Sequence, residues 1–431
     1  MIAVGQPNAY TSLPAPTDDE SELALNDLAL QRRVNALRCT DNITNWFYLG
    51  REYLCGGLVV AAAIVFFQTR SAWGLLWLWN IPVELLAVTL MGIVQHRLVT
   101  LGHEGSHYLL FRNKLLNELA SDFCCMMPMW SNTHLYRLQH LAHHQYPNDP
   151  ERDPDLRQVE ASGYEIRFPM PAREFLWKCG LQQLLWLPGL LRYTRSRSLS
   201  AAMGNRTESY PSAPGRSRLL VGIGIGYLAI LALALAVVVR WGQGWQLVVV
   251  PLLMLTGMTA FQSLVPDHWY RRNHLLPVVS PRLMTLCRVG YFTVVFTLLA
   301  SLSRFTGRPW VAYYILLWLL PIGTSFSLLM LIRQVVQHGN AGRGRFDNTR
   351  VYLVGPLVRY AVFPLGGDYH LPHHLFQLVP HYRLAELHEL LLKVREYREQ
   401  ACVVEGYFRH RRPPQHPTVV ELIAQRSDRA A

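Results

Sequence analysis

The sequence predicts an all-α, polytopic membrane protein with four to six transmembrane helices and a cytoplasmic, histidine-rich di-metal cap. Three observations predict it. Of the residues, 51% are hydrophobic and only 16% are charged. Several apolar runs approach the roughly 20 residues that cross a bilayer. Eight of the 17 histidines fall in three tight groups. The net charge of +12 fits cytoplasmic loops and anionic lipid headgroups. Nucleic acid is not an expected partner, because the arginines are spread along the chain without a binding motif.

Taken in order, residues 1–51 read as an N-terminal tail followed by an amphipathic helix. Asp18-Asp19-Glu20 forms its acidic start, and it runs to about Arg38. No cleavable signal peptide is visible in this polar stretch. Residues 52–405 read as the membrane domain, opening with a hydrophobic hairpin over 52–101. Its second helix runs from Pro82 to His107, longer than a bilayer core is thick at 1.5 Å per residue. Its last turns therefore project into water. Leu115–Trp130 is apolar but short, a re-entrant or buried helix. Phe175–Tyr193 reads as an in-plane amphipathic helix, and Thr194–Arg218 as a loop.

A second apolar block covers about 219–336. Leu219–Arg240, Trp245–Val265, Leu283–Leu302 and Pro309–Ile332 are its expected spans. Four spans, like two, return the third histidine group to the side of the first two. Gly222, Gly224 and Gly226 lie in an apolar helix and follow no strand, so they read as small residues for close helix packing, not as a nucleotide loop. Residues 406–431 form a basic C-terminal tail. The seven cysteines (39, 55, 124, 125, 179, 287 and 402) contain no Cys-x-x-Cys pair and imply neither disulfides nor a thiolate cluster.

The chemistry sits in the histidines. His103-Glu-Gly-Ser-His107 places two imidazoles one helical turn apart. His140-Leu-Ala-His143-His144 places three on neighbouring positions of one helix. His370-Leu-Pro-His373-His374 repeats the pattern, with Pro372 suited to a helix's first turn and His370 just before it. His338 lies where the last span leaves the membrane. Neutral imidazoles bind zinc, iron, copper or nickel. One metal takes four to six ligands, so this many imidazoles implies two. His103-Glu104-x-x-His107 also matches the zinc-protease pattern with Glu104 as general base. An intramembrane zinc metalloprotease is the alternative, but it leaves both later groups unexplained. Asp149, Glu151, Asp153 and Asp155 follow the second group and can orient metal-bound histidines through their outer nitrogens. His134, six residues before His140, is poorly placed for the same face.

The three boxes, with HLAHHQYPNDPERDPD and GGDYHLPHHLFQLVPHYRLAELH around the later two, resemble the membrane fatty acid desaturase and hydroxylase superfamily over about His96–His388. The resemblance implies two non-haem irons and O2 as co-substrate. The implied metal ligands are His103, His107, His140, His143, His144, His338, His370, His373 and His374. Glu104, Asp149, Asp153, Asp155, Gln334 and Asn340 are the supporting candidates. Gln334 stands where some members have a metal-associated asparagine. The implied activity is desaturation of a lipid acyl chain, with hydroxylation or ketolation of a lipid or carotenoid as the alternative. No fused electron-transfer domain is visible, so a separate donor such as a ferredoxin is implied. Arg112, Lys114, Arg137 and Arg152 are candidate contacts for it. The boxes and both termini are expected on the cytoplasmic side.

Overall fold

The computed structural model describes residues 24–161, 163, 167–203, 209, 215–270, 275–409 and 414–424. The helices used below are α1 (Leu28–Leu37), α2 (Thr44–Thr69), α3 (Asn80–Ser106), α4 (Lys114–Ser121), α5 (Thr133–Gln145), α6 (Pro154–Ala161), α7 (Leu187–Met203), α8 (Gly215–Trp241), α9 (Gln246–Leu264), α10 (Pro281–Thr306) and α11 (Ser325–His338). A strand β1 (Val351–Leu353) follows, then α12 (His370–Leu375), α13 (Leu384–Leu391) and β2 (Val403–Glu405).

Six helical stretches are long and apolar enough to cross a membrane: Thr44–Trp73, Trp77–Ser106, Gly215–Trp241, Gln246–Leu264, Pro281–Thr306 and Trp310–His338. Four of them lie in the second apolar block. They expose rows of leucine, valine and tryptophan, for example Leu54, Leu58, Leu85 and Leu233. A helix in lipid satisfies its own backbone and has no reason to hide such side chains.

Local chemistry sets many boundaries. Asn113 caps α4 by accepting from Leu116 N (2.9 Å), and Asn132 caps α5 in the same way through Leu135 N (2.9 Å). Ser280 and Pro281 open α10, and Gly307, at φ 66°, closes it. The first predicted helix is α1, which starts later than expected, at Leu28 after the Asp27 cap. Residues 18–23 lie outside the described residues.

Three expectations change. Thr194–Met203 is helical, not loop, because α7 continues without a glycine or proline to stop it. The single helix expected over Phe175–Tyr193 is broken at Trp186, just before Pro188. Gly222, Gly224 and Gly226 do not serve close packing: a Cβ at any of them would meet no heavy atom within 4 Å. The close approaches occur at Gly92, against Ser325 and the Phe326 backbone, and at Gly102, against Met126 and Cys125.

The described chain forms two compact units. One takes the described residues of Met1–Cys39, Phe168–Phe175 and Val335–Ala431; the other takes those of Thr40–Arg167 and Leu176–Gln334. The first unit is built on a buried cluster that includes Leu30, Val34, Val351, Leu371, Leu387 and Tyr397. Within it β1 and β2 pair in parallel, Val351 opposite Val403 and Leu353 opposite Glu405. The second unit holds the helices α2 to α10 and the start of α11.

Candidate metal centre

In the second unit, His103 lies in the last turn of α3 and His107 caps it, while His140, His143 and His144 lie on α5. A buried ion pair joins α5 to α4, and its arginine also reaches the end of α3. The Arg137 guanidinium meets Glu118 Oε2 at 2.6 Å and donates to the carbonyls of Ser106 (2.8 Å) and Gly105 (3.0 Å). Those carbonyls end α3 and lack helical partners. Asn117 Nδ2 also donates to Gly105 O, at 2.9 Å. Gly105 itself lies so close to Ser121 that a Cβ would overlap it.

This framework converges four imidazoles. His103, His107, His140 and His144 each offer a ring nitrogen within 4.8 Å of the others. His107 Nε2 and His144 Nε2 each stand 2.9 Å from His140 Nε2. The Tyr136 ring stacks on His140 at 5.4 Å. His143 is buried, and its Nδ1 lies 3.0 Å from each Asp153 oxygen. Asp153 also accepts from the backbone N–H of Asn148 and Asp155 (2.9 Å each), so the turn presents it rigidly. Burial works against a charged His143. The charges of Asp153 and Asp155, with the hydrogen bond to Asp153, outweigh it and hold the imidazole up at about 9.

In the first unit, His338 ends α11, and His370, His373 and His374 lie on α12. His370 is the first helical residue, not the one before the helix. The end of α11 is tied to this segment by Tyr352 Oη donating to Val336 O (2.7 Å), Gln337 Nε2 to Gly367 O (3.2 Å) and an Arg350 guanidinium nitrogen to Gly339 O (2.7 Å). His338 Nε2 stands 3.0 Å from His370 Nε2, and its Nδ1 donates to Asn348 O at 3.2 Å. The rings of His338 and His374 are 5.1 Å apart, and those of His370 and His374 are 4.6 Å apart.

The supporting candidates divide. Glu104 places Oε1 3.4 Å from His103 Nδ1. Asp153 sits on His143 as described. Asp155 accepts from Gln139 Nε2 (3.0 Å). Asp149 closes the acidic turn, accepting from the N–H groups of Glu151 and Arg152 (3.0 Å each) and pairing with the Arg152 guanidinium. Gln334 takes the Tyr193 hydroxyl hydrogen bond (2.9 Å) and donates to Asp155 O (3.1 Å), so both ends of its amide support the turn. Asn340 donates to Leu422 O (2.8 Å). Arg137 is a correction among the docking arginines: it is only 1% exposed and braces the first box against the second. Nothing in the local spacing of Arg137 signals that role. Its partners lie 19 and more residues earlier in the chain.

Six apolar membrane-length helices, with histidine groups at the ends of α3 and α11 and on α5 and α12, define a membrane protein of the three-histidine-box class. The fatty acid desaturase family model matches residues 79–287 and 271–404, more than half of the chain, and the chain belongs to that family. It is similar to the dihydrorhizobitoxine desaturase of Bradyrhizobium elkanii, 30% identical over 152 residues, which are 35% of this chain and 39% of that protein. It is similar also to the sphingolipid delta(4)-desaturase of Drosophila melanogaster, 28% identical over 131 residues, 30% of this chain and 38% of that protein. The chain thus matches about two fifths of the length of these relatives. The family match takes in all three boxes, two of which a zinc protease would leave without a role.

Proposed function

We propose that the protein is an O2-dependent oxidoreductase that desaturates a lipid acyl chain, using two non-haem irons. Its ligands are His103, His107, His140 and His144 in one set and His338, His370 and His374 in the other. His143 and His373 complete the count. The observation that carries the reading is the spacing of facing ring nitrogens, 2.9 to 3.0 Å in both sets. The number of converging imidazoles exceeds the four ligands of a structural zinc site and favours two five- or six-coordinate irons. When bound, the metal pair supplies the activation of O2 that attack on an unactivated C–H bond requires.

The protein's own residues orient and protect. The Asp153 carboxylate holds His143 with Nδ1 as donor, so Nε2 is the nitrogen presented to a metal. Arg137 and Glu118 fix the first box against the second, which keeps the donor atoms preorganised. The apolar helices supply a dry setting for an acyl chain. The two relatives are named for different substrates, so family membership sets the reaction type ahead of the substrate. Electrons come from a separate donor protein, for which exposed Arg112, Lys114 and Arg152 remain the docking candidates. The boxes face the cytoplasm in this reading.

The test is twofold. Purified protein should carry about two irons per chain, and stoichiometric zinc would overturn the metal reading. Cells supplied with a working electron donor should gain unsaturated acyl chains with the wild type and not with His144→Ala. An unchanged lipid profile would overturn the activity. A new hydroxyl or keto group in place of the double bond would reassign it.

A further inference from the structure

His338 is the last residue of α11, and His370 is the first residue of α12. Helix ends fray, and the terminal carbonyls and N–H groups of a helix have no partners inside it. These two end residues nevertheless hold their Nε2 atoms 3.0 Å apart. The helices themselves do not supply that precision.

The strand β1 and the two residues before it supply the missing partners. Thr349 Oγ1 donates to Gln337 O (2.9 Å), Tyr352 Oη to Val336 O (2.7 Å) and Ala341 N to His338 O (3.2 Å). The next carbonyl, Gly339 O, accepts from an Arg350 guanidinium nitrogen at 2.7 Å. Arg350 also acts in the other direction. Its own carbonyl accepts from Leu371 N at 3.2 Å, one of the N–H groups that the first turn of α12 leaves over. One residue thus grips the chain just past His338 with its side chain and the start of the His370 helix with its backbone. Pairing of Val351 with Val403 on β2 steadies the strand that carries it.

Arg350 is a destabilising choice for this place. It is only 1% exposed, its Nε and Nη1 are buried without a hydrogen bond, and it forms no ion pair among the described residues. A buried guanidinium with two unused donors and no counter-ion costs stability. The negative end of the α11 dipole and a single carbonyl offset only part of that cost. Such local costs concentrate at functional sites.

We propose that Arg350 is the positioning residue of the second ligand set: by joining the two helix ends it sets the separation of His338 and His370. This role rests on the two-metal reading and deepens it, because it makes one metal of the pair depend on a residue that is not a ligand.

The experiment compares the full chain as wild type, Arg350→Met and Arg350→Lys, prepared metal-free in phosphatidylcholine nanodiscs. Each is titrated with Co(II), read by its absorption spectrum. Thermal unfolding and hydrogen exchange are measured without metal. Wild type should take up about two Co(II). Arg350→Met should bind one of them as wild type does and the other about 10–100-fold more weakly. Its metal-free unfolding midpoint should not fall below that of wild type, since an apolar side chain replaces an unpaired buried charge. Exchange should quicken across 336–342 in that variant. Arg350→Lys keeps one donor for Gly339 O and should recover most of the lost affinity, because only one guanidinium nitrogen is used. Both metals bound as in wild type, both weakened alike, a lowered midpoint or failure to fold in Arg350→Met, or no recovery in Arg350→Lys would each overturn the proposal. If wild type itself takes up no metal, the metal reading falls separately. Exchange then still decides whether Arg350 joins the two ends, and unchanged exchange over 336–342 would overturn that too.

Discussion

The carboxylate of Asp153 holds both oxygens 3.0 Å from Nδ1 of His143, and two backbone N–H groups hold Asp153 in turn. This relationship makes His143 a strong base in the metal-free protein. Its imidazole sits at about 9, against about 6.5 for an ordinary histidine. Protonation of His143 therefore stabilises the metal-free fold fully below about pH 6.5. That contribution is lost as the pH rises through 9.

Metal binding has to displace that proton. Affinity for Fe(II), or for Co(II) as a spectroscopic substitute, should rise with pH up to about 9 and then level off. In Asp153→Asn the rise should end at lower pH, and metal retention should fall about 10–100-fold. Titration of metal-free protein at several pH values measures both. An identical pH curve in wild type and variant would refute the role given to Asp153.

Breaking the Arg137–Glu118 pair should be costly. Glu118→Gln leaves a buried guanidinium without its counter-ion, and a loss of about 3–5 kcal/mol is expected in thermal unfolding. Arg137→Lys should not restore stability. A lysine cannot serve the carboxylate and the two carbonyls of Ser106 and Gly105 in the same fork. Iron content should drop with stability, because these groups set the distance between the first two boxes.

Gly105→Ala should destabilise by roughly 1–3 kcal/mol, since its Cβ overlaps Ser121. Adding Ser121→Gly should make the double variant less damaged than the sum of the singles. Simple additivity in a double-mutant cycle would show that the overlap is relieved elsewhere.

His388 lies on α13, which is not one of the six membrane-length helices, and provides an acid-side signal. It is buried, with Nδ1 2.8 Å from the Tyr397 hydroxyl, and burial lowers its titration to about 4. Between about pH 6.5 and 4 the unfolded chain binds the proton and the fold does not. The stability from this site is thus complete above 6.5 and is lost as the pH falls through 4, by a total of order 3 kcal/mol. His388→Phe should flatten that part of the stability curve, as read from unfolding midpoints across the range.

Much of this protein is written locally in its sequence. The apolar runs that become membrane-length helices, and the His-x3-His and His-x2-His-His spacings that put imidazoles on one helical face, follow from helix geometry over a few residues. So do the Asn113, Asn132 and Ser280 caps. The tertiary structure alone decided which of the polar residues near the boxes do what. Arg137, expected on the surface, became a buried brace because Glu118 and two chain-end carbonyls lie around it. Asp153, and not Asp149, took His143 because the turn aims one carboxylate inward and closes on the other. Gly105, not the Gly222–Gly226 run, became the tight contact because a neighbour lies against one and not the other. Periodicity records which face of a helix a side chain occupies. It does not record which distant segment will face it, and burial, charge pairing and metal geometry all depend on that second fact.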